Sequence, residues 1–143
     1  MWIPDQIGQS DDTRIGSLQS IISPETLIHE LPLEGSISER IIAHRQAVSD
    51  IIHWKDSRIL VVTWPCSIHD PKSAKEYAEK VAEWRKIYWD QLEVVMRTYW
   101  EKPRTTVWWK WLINDPHMNG TNSIEDWLRA ARWLLIDINE LWV

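Results

Sequence analysis

The sequence has no phenylalanine, a single cysteine and only four glycines in 143 residues. One thiol cannot form an internal disulfide, so a disulfide-stapled secreted fold is excluded and a reducing, cytoplasmic setting is expected. No run of 18 apolar residues occurs, which argues against a transmembrane helix. The opening MWIPDQIGQSDD has neither a basic start nor an apolar core, so it does not read as a secretory signal. Positive charge is also short. Sixteen Lys and Arg against 21 Asp and Glu leave a formal net charge of −5. A general nucleic-acid coat or a polybasic membrane anchor needs the opposite balance. Tryptophan is in excess at 12 residues, whereas average usage would place about ten glycines in a chain this long.

The pattern along the chain predicts an α/β protein without internal repeats. A polar, helix-like segment runs from Asp11 and Asp12 to Ile22. Ser23-Pro24-Glu25 reads as an N-cap followed by proline at the first helical position, predicting a short helix to about Leu31 that Pro32 and Gly35 break. Ser38 is the expected cap of a second helix, with Ile41, Val48 and Ile52 at helical spacing. The character changes near Asp56. Arg58–Thr63 is a short β-branched run of the kind buried on both faces of a parallel sheet. Asp70-Pro71 then caps a helix carrying Ala74, Tyr77, Ala78, Val81, Ala82, Arg85 and Tyr88. Leu92–Tyr99 reads as a second strand, and a long loop runs from Trp100 to about Asn122. Ser123 with Asp126 resembles a capping box before a last helix that presents Ile124, Trp127, Leu128, Ala131, Leu134, Leu135 and Ile138.

Strand, loop, helix repeated twice implies βαβ units, and such sheets bind ligands at the C-terminal ends of their strands. Two loops lie there. The second carries Arg97, Lys102, Arg104, Thr105 and Thr106, with Pro103 stiffening the backbone between two cations. Guanidinium groups take carboxylate or phosphate bidentately, so this loop suits a small anionic substrate. The bland alternative is a solvated basic loop paired with Glu101 and Asp115. A rival is single-stranded nucleic acid, because Trp108, Trp109, Lys110 and Trp111 interleave aromatics with charge. In the first loop Cys66 and His69 could ligate a divalent metal. A lone cysteine is otherwise a small buried apolar residue, and His69 could simply bond backbone ahead of the helix. Asn114-Asp115-Pro116-His117 is first of all a turn signal.

Four segments together resemble a known family: Pro65–Pro71, Val95–Tyr99, Glu101–Val107 and Leu112–Met118. They are similar to the type I 3-deoxy-D-arabino-heptulosonate 7-phosphate (DAHP) synthases, the aromatic-regulated enzymes at the entry to the shikimate pathway. The resemblance extends over almost the whole chain. It implies a (β/α)8 barrel of which this chain holds the N-terminal portion, with residues 1–55 as a helical extension and 56–143 as the first two βα units. It implies condensation of phosphoenolpyruvate with erythrose 4-phosphate, release of phosphate, and a divalent metal of the Mn, Fe, Co or Zn type. By the same resemblance Cys66 matches the metal-ligating cysteine and Arg97 an arginine that binds phosphoenolpyruvate. Lys102, Arg104 and Thr105 match the Lys-Pro-Arg-Thr motif, with Lys102 the catalytic candidate and the other two on the erythrose 4-phosphate side. Asp11 and Asp12 resemble residues near a feedback amino-acid site, so an aromatic amino acid effector and a homo-oligomer are implied, with neither nucleic acid nor membrane as partner.

The chain departs from the family in two ways. A complete barrel takes about 250 residues, so the other metal ligands (a His, a Glu and an Asp) are expected beyond Val143, and the chain alone is expected to be inactive and poorly stable. Trp64, Trp108, Trp111, Trp127 and Trp142 stand where the family has glycine, and Trp100 where it has phenylalanine. Overpacking is expected at such sites. The alternative to the enzyme is a non-catalytic small-anion or regulatory binding module.

Overall fold

A computed structural model describes residues 18–63, 66–101 and 112–141. The order is α1 (Pro24–Glu30), α2 (Gly35–Ile52), β1 (Ile59–Thr63), α3 (Pro71–Ile87), β2 (Leu92–Met96) and α4 (Ile124–Glu140). This is an α/β arrangement around a two-stranded parallel sheet in which Val61 pairs with Val94 and Thr63 with Met96. Two further backbone bonds extend the ladder at its ends, Ile59 N to Gln91 O at 2.9 Å and Arg97 N to Thr63 O at 3.0 Å.

The capping chemistry explains where α1 and α3 begin. Ser23 Oγ accepts from Thr26 N at 3.2 Å with Pro24 at the first helical position. Asp70 accepts from Lys72 N and Ser73 N, each at 3.1 Å, and Ser73 Oγ donates to it at 2.6 Å. These bonds hold the Asp70 carboxyl below the usual carboxylate range, the Ser73 hydroxyl contributing most.

Along α3 the small residues Ala74, Ala78 and Ala82, with Val81, face inward and are buried. They pack with Val94 and Met96 of β2 and with Leu134 and Ile138 of α4 in one core that also takes in Ile68 and Leu112. The Tyr77 hydroxyl meets Thr63 Oγ1 at 2.6 Å, fixing α3 over the end of β1. The helices before the sheet are tied through the buried Ile37 of α2 and through polar atoms. Arg129 donates to Glu30 at 2.8 Å, Arg132 to the Leu31 carbonyl at 2.7 Å, and Arg40 to the Glu140 carbonyl at 3.0 Å at the C-terminal end of α4.

Under the start of β2 lies a buried carboxylate. Glu93 accepts from Arg58 at 2.7 Å and from Arg85 of α3. Arg85 in turn donates to His44 Nε2 of α2 at 3.1 Å. Three elements thus meet at one ion pair network.

Several local expectations are corrected. Residues 18–22 are not helical. The second helix starts at Gly35 with Glu34 as its N-cap, not at Ser38: Ile37 N and Ser38 N already bond to the Glu34 carbonyl, so the turn closes before the serine is reached. Arg58 precedes β1, because its side chain and amide are both held by Asp56. β1 is not buried on both faces: Val62 is 60% exposed, because no described element covers it. β2 ends at Met96. At α4 the Ser123 side chain takes no capping bond from the helix backbone; the expected Ser123–Asp126 pairing is made between side chains, and the Asp126 carboxylate also meets His117 at 2.9 Å.

Candidate functional site

The parallel register sets the geometry of the candidate site. Because Thr63 and Met96 are partners at the C-terminal ends of β1 and β2, Cys66, three residues past Thr63, and Arg97, immediately past Met96, emerge at the same end of the sheet. A main-chain bond locks the two segments together there: Ile68 N donates to Tyr99 O at 2.7 Å. Ile68 is fully buried and Ser67 nearly so, so the Cys66 loop is anchored by its apolar neighbour in the core. Cys66 itself is half-buried, its Sγ 3.9 Å from Ser67 Oγ. Arg97 is exposed, and its guanidinium carbon lies 4.3 Å from the centroid of the Tyr99 ring. One residue further, Trp100 packs edge-on against Trp127 of α4, with centroids 6.4 Å apart at 83°.

Cys66 and Arg97 therefore follow the same end of the two-stranded sheet. Lys102, Arg104 and Thr105 lie outside the described residues, as do Asp11 and Asp12 and the Trp108–Trp111 cluster. Trp64, Trp108, Trp111 and Trp142 also lie outside. Asp115 is buried and closes the turn the sequence announces, accepting from Gly120 N at 2.9 Å and Asn119 N at 3.3 Å. Gly120 has φ +77°, a conformation that glycine adopts without penalty. His69 is exposed beside the cap of α3.

A metal needs several converging ligands, typically three protein groups in a catalytic zinc site. Among the described residues no group of three His, Cys, Asp or Glu is placed to hold one. Cys66 can supply one thiolate, and the described part of the chain does not complete a metal site around it.

Arg58, Glu93, Arg85 and His44 were not singled out as a group from the sequence. They lie at the opposite end of the strands from Cys66 and hold the scaffold. Burial, then the neighbouring Arg85, lowers the His44 pKa from its ordinary 6.5, with Arg40 acting in the same sense and Glu93 opposing. A cavity of about 870 Å³ between α3 and the end of α4 is lined by Glu79, Glu83, Lys86, Trp89 and Glu140 among others. Its mixed charges and its distance in the fold from the strand ends give it no part in the candidate site. No described helix is long and apolar enough to cross a membrane.

Comparison with known proteins adds the following. The profile of the DAHP synthetase I family matches residues 32–137. The phospho-2-dehydro-3-deoxyheptonate aldolase of Haemophilus influenzae is 48% identical over 134 residues, covering 94% of this chain and 37% of that protein. The Phe-sensitive phospho-2-dehydro-3-deoxyheptonate aldolase of Escherichia coli K12 is 48% identical over 132 residues, covering 92% of this chain and 38% of that protein. The structure of the phospho-2-dehydro-3-deoxyheptonate aldolase from Francisella tularensis SCHU S4 superposes with a TM-score of 0.84 at 41% identity, over 90% of this chain and 38% of that one. The chain thus spans well under half the length of each of these three relatives.

Proposed function

The chain belongs to the DAHP synthetase I family, and on that premise we propose that it is the N-terminal part of an enzyme that condenses phosphoenolpyruvate with erythrose 4-phosphate, the first two βα units of a (β/α)8 barrel behind a helical extension of residues 1–55. What supports the reading is that the segments carrying Cys66 and Arg97 leave the C-terminal ends of two parallel strands side by side, tied by the Ile68–Tyr99 bond. That is the end at which barrel enzymes bind substrate.

In this reading Arg97 holds an anionic group of phosphoenolpyruvate. Lys102, Arg104 and Thr105, from the Lys-Pro-Arg-Thr motif, serve the two substrates, with Arg104 and Thr105 toward erythrose 4-phosphate and Lys102 closest to the reacting atoms. Fixed cations do two things for such a reaction. They hold two phosphorylated molecules at attack distance, and they offset negative charge without reorganising as the bond forms. Cys66 is one ligand of a divalent metal whose other ligands the described residues do not provide. By extension from the Phe-sensitive relative, an aromatic amino acid is the effector, with Asp11 and Asp12 on its side of a homo-oligomer.

The test is complementation. The purified chain gives no condensation product by itself, and turnover appears when the C-terminal remainder of a relative is added with a divalent metal. Arg97→Ala abolishes that turnover. Unaltered turnover in Arg97→Ala overturns the reading. Phosphoenolpyruvate binding without turnover in the complemented system assigns the chain to a small-anion binding module instead.

A further inference from the structure

Arg97 has no ion pair among the described residues; what orders its guanidinium is the ring of Tyr99, whose centroid lies 4.3 Å from Arg97 Cζ. Both residues lie in the segment that leaves β2. That backbone is held at three places in succession. Arg97 N bonds to Thr63 O at 3.0 Å, Tyr99 O accepts from Ile68 N at 2.7 Å, and Trp100 is pinned on Trp127. The ring is therefore fixed to the frame through its own main chain, while the arginine is the longer and freer of the two side chains.

We propose that Tyr99 is a positioning residue: its ring face holds the Arg97 guanidinium at the lip of β2, ready to receive the carboxylate or phosphate of the substrate. A guanidinium lying over an aromatic face is attracted by the ring's negative quadrupole. Its N–H groups point outward in the guanidinium plane and remain free for a bidentate anion contact. The stacking thus orders Arg97 without occupying the donors it needs. The same residue links the two loops, since its carbonyl holds the Cys66 segment and its ring holds Arg97. The inference rests on the reading of Arg97 as the anion-binding group.

The experiment uses the 143-residue chain, phosphoenolpyruvate as the probe, and two readouts: the dissociation constant, and the NMR shift of the Arg97 Nε–H group, which a ring face displaces. Tyr99→Phe keeps both, because the face and not the hydroxyl acts. Tyr99→Leu loses the ring-induced shift and weakens binding about two- to fivefold, the range expected for an exposed cation–π contact. The Ile68–Tyr99 bond is between main chains and survives either change. Binding in Tyr99→Leu equal to that of the unaltered chain, while Arg97→Ala loses it, overturns the positioning role and leaves the anion site standing. Binding unaffected by Arg97→Ala, or absent from the unaltered chain, overturns the anion site and the inference with it. Should Tyr99→Leu fail to fold, Tyr99→Phe decides: weakened binding there places the effect in the hydroxyl and overturns the proposal.

Discussion

The amide of Ile68 donates to the carbonyl of Tyr99 at 2.7 Å, across the C-terminal ends of two parallel strands. Neither residue offers chemistry of its own in that bond, yet it fixes the distance between the segments that do. Ile68 is buried and its neighbour Cys66 is not; Tyr99 lies between Arg97, on which its ring stacks, and Trp100, which packs toward α4. The core therefore reaches the candidate site through Ser67 and Ile68 of one loop and Trp100 of the other, with Cys66 and Arg97 beside them less buried.

The scaffold beneath depends on Glu93. Its side chain is 3% exposed, and its carboxylate is shared by Arg58 and Arg85. Removing one partner of a buried charge network leaves the others uncompensated, at a cost of about 3–5 kcal/mol. Glu93→Gln is therefore expected to lower the stability of the chain by about 3 kcal/mol, read from the midpoint of urea unfolding. A loss near zero would show that the two guanidiniums find water or other partners without cost.

The same network has a pH dependence through His44. Burial and Arg85 hold its pKa below the ordinary 6.5. The folded chain thus binds the proton less readily than the unfolded one, and stability rises with pH across that interval. The contribution is fully present above about 6.5 and is lost as pH falls toward the folded-state value. Glu30, Asp56, Asp70 and Asp126 are also held low, but carboxylates act at more acid pH. Between pH 7.5 and 5.5, His44→Asn, which still accepts from Arg85 but does not titrate, should lose less stability than the unaltered chain. The other four histidines are common to both proteins and cancel in the comparison. Equal losses would remove His44 as the cause.

What the sequence disclosed and what it withheld follow from the range of the interactions. Asp70-Pro71 and Ser23-Pro24 are local signals, and both caps form as read. The β-branched run and its partner were legible as strands, and the alternation with helices gave the parallel pairing. Cys66 and Arg97 were placed at the same end of the sheet by topology alone. The Arg58–Glu93–Arg85–His44 network was not legible, because its members come from four places in the chain and none is unusual alone. At α4 the local signal was half right: the Ser123–Asp126 spacing brings the two side chains together, but Ser123 takes no bond from the helix backbone and His117 shares the carboxylate. The glycine shortage was a signal that reached further than the motif positions. It is felt at Trp54, which closes α2 with φ +59°.

Trp54 is 94% exposed, so its indole gains almost nothing from packing, while its backbone is left-handed. Helices commonly end with glycine in that conformation, because a Cβ there crowds the following carbonyl by about 1–2 kcal/mol. Trp54→Gly is accordingly expected to stabilise the chain by about 1 kcal/mol, seen as a higher midpoint of thermal unfolding. A lower midpoint would mean that the bonds around the turn, such as Lys55 N to Asp50 O at 2.8 Å, depend on the tryptophan.

Trp127 poses the opposite case. It stands where the resemblance to the family places glycine, and overpacking was the expectation. In the fold its ring meets Trp100 edge-on, with centroids 6.4 Å apart, and it packs against the core that holds Leu134 and Ile138. Its cost is polar: the indole Nε1 is buried and has no hydrogen-bond partner among the described residues. An unpaired buried donor costs about 1–3 kcal/mol, whereas deleting a buried aromatic side chain costs about 3–5 kcal/mol. The two substitutions should therefore move stability in opposite directions. Trp127→Phe removes the orphaned N–H, keeps most of the edge contact and is expected to be neutral or stabilising. Trp127→Ala is expected to destabilise by about 3 kcal/mol, and also to loosen the segment after β2 that Trp100 anchors, measurable as faster amide exchange at Tyr99 and Ile68. If Ala proved the more stable of the two, the indole would be overpacked after all, and the edge-on contact with Trp100 would be a strained one.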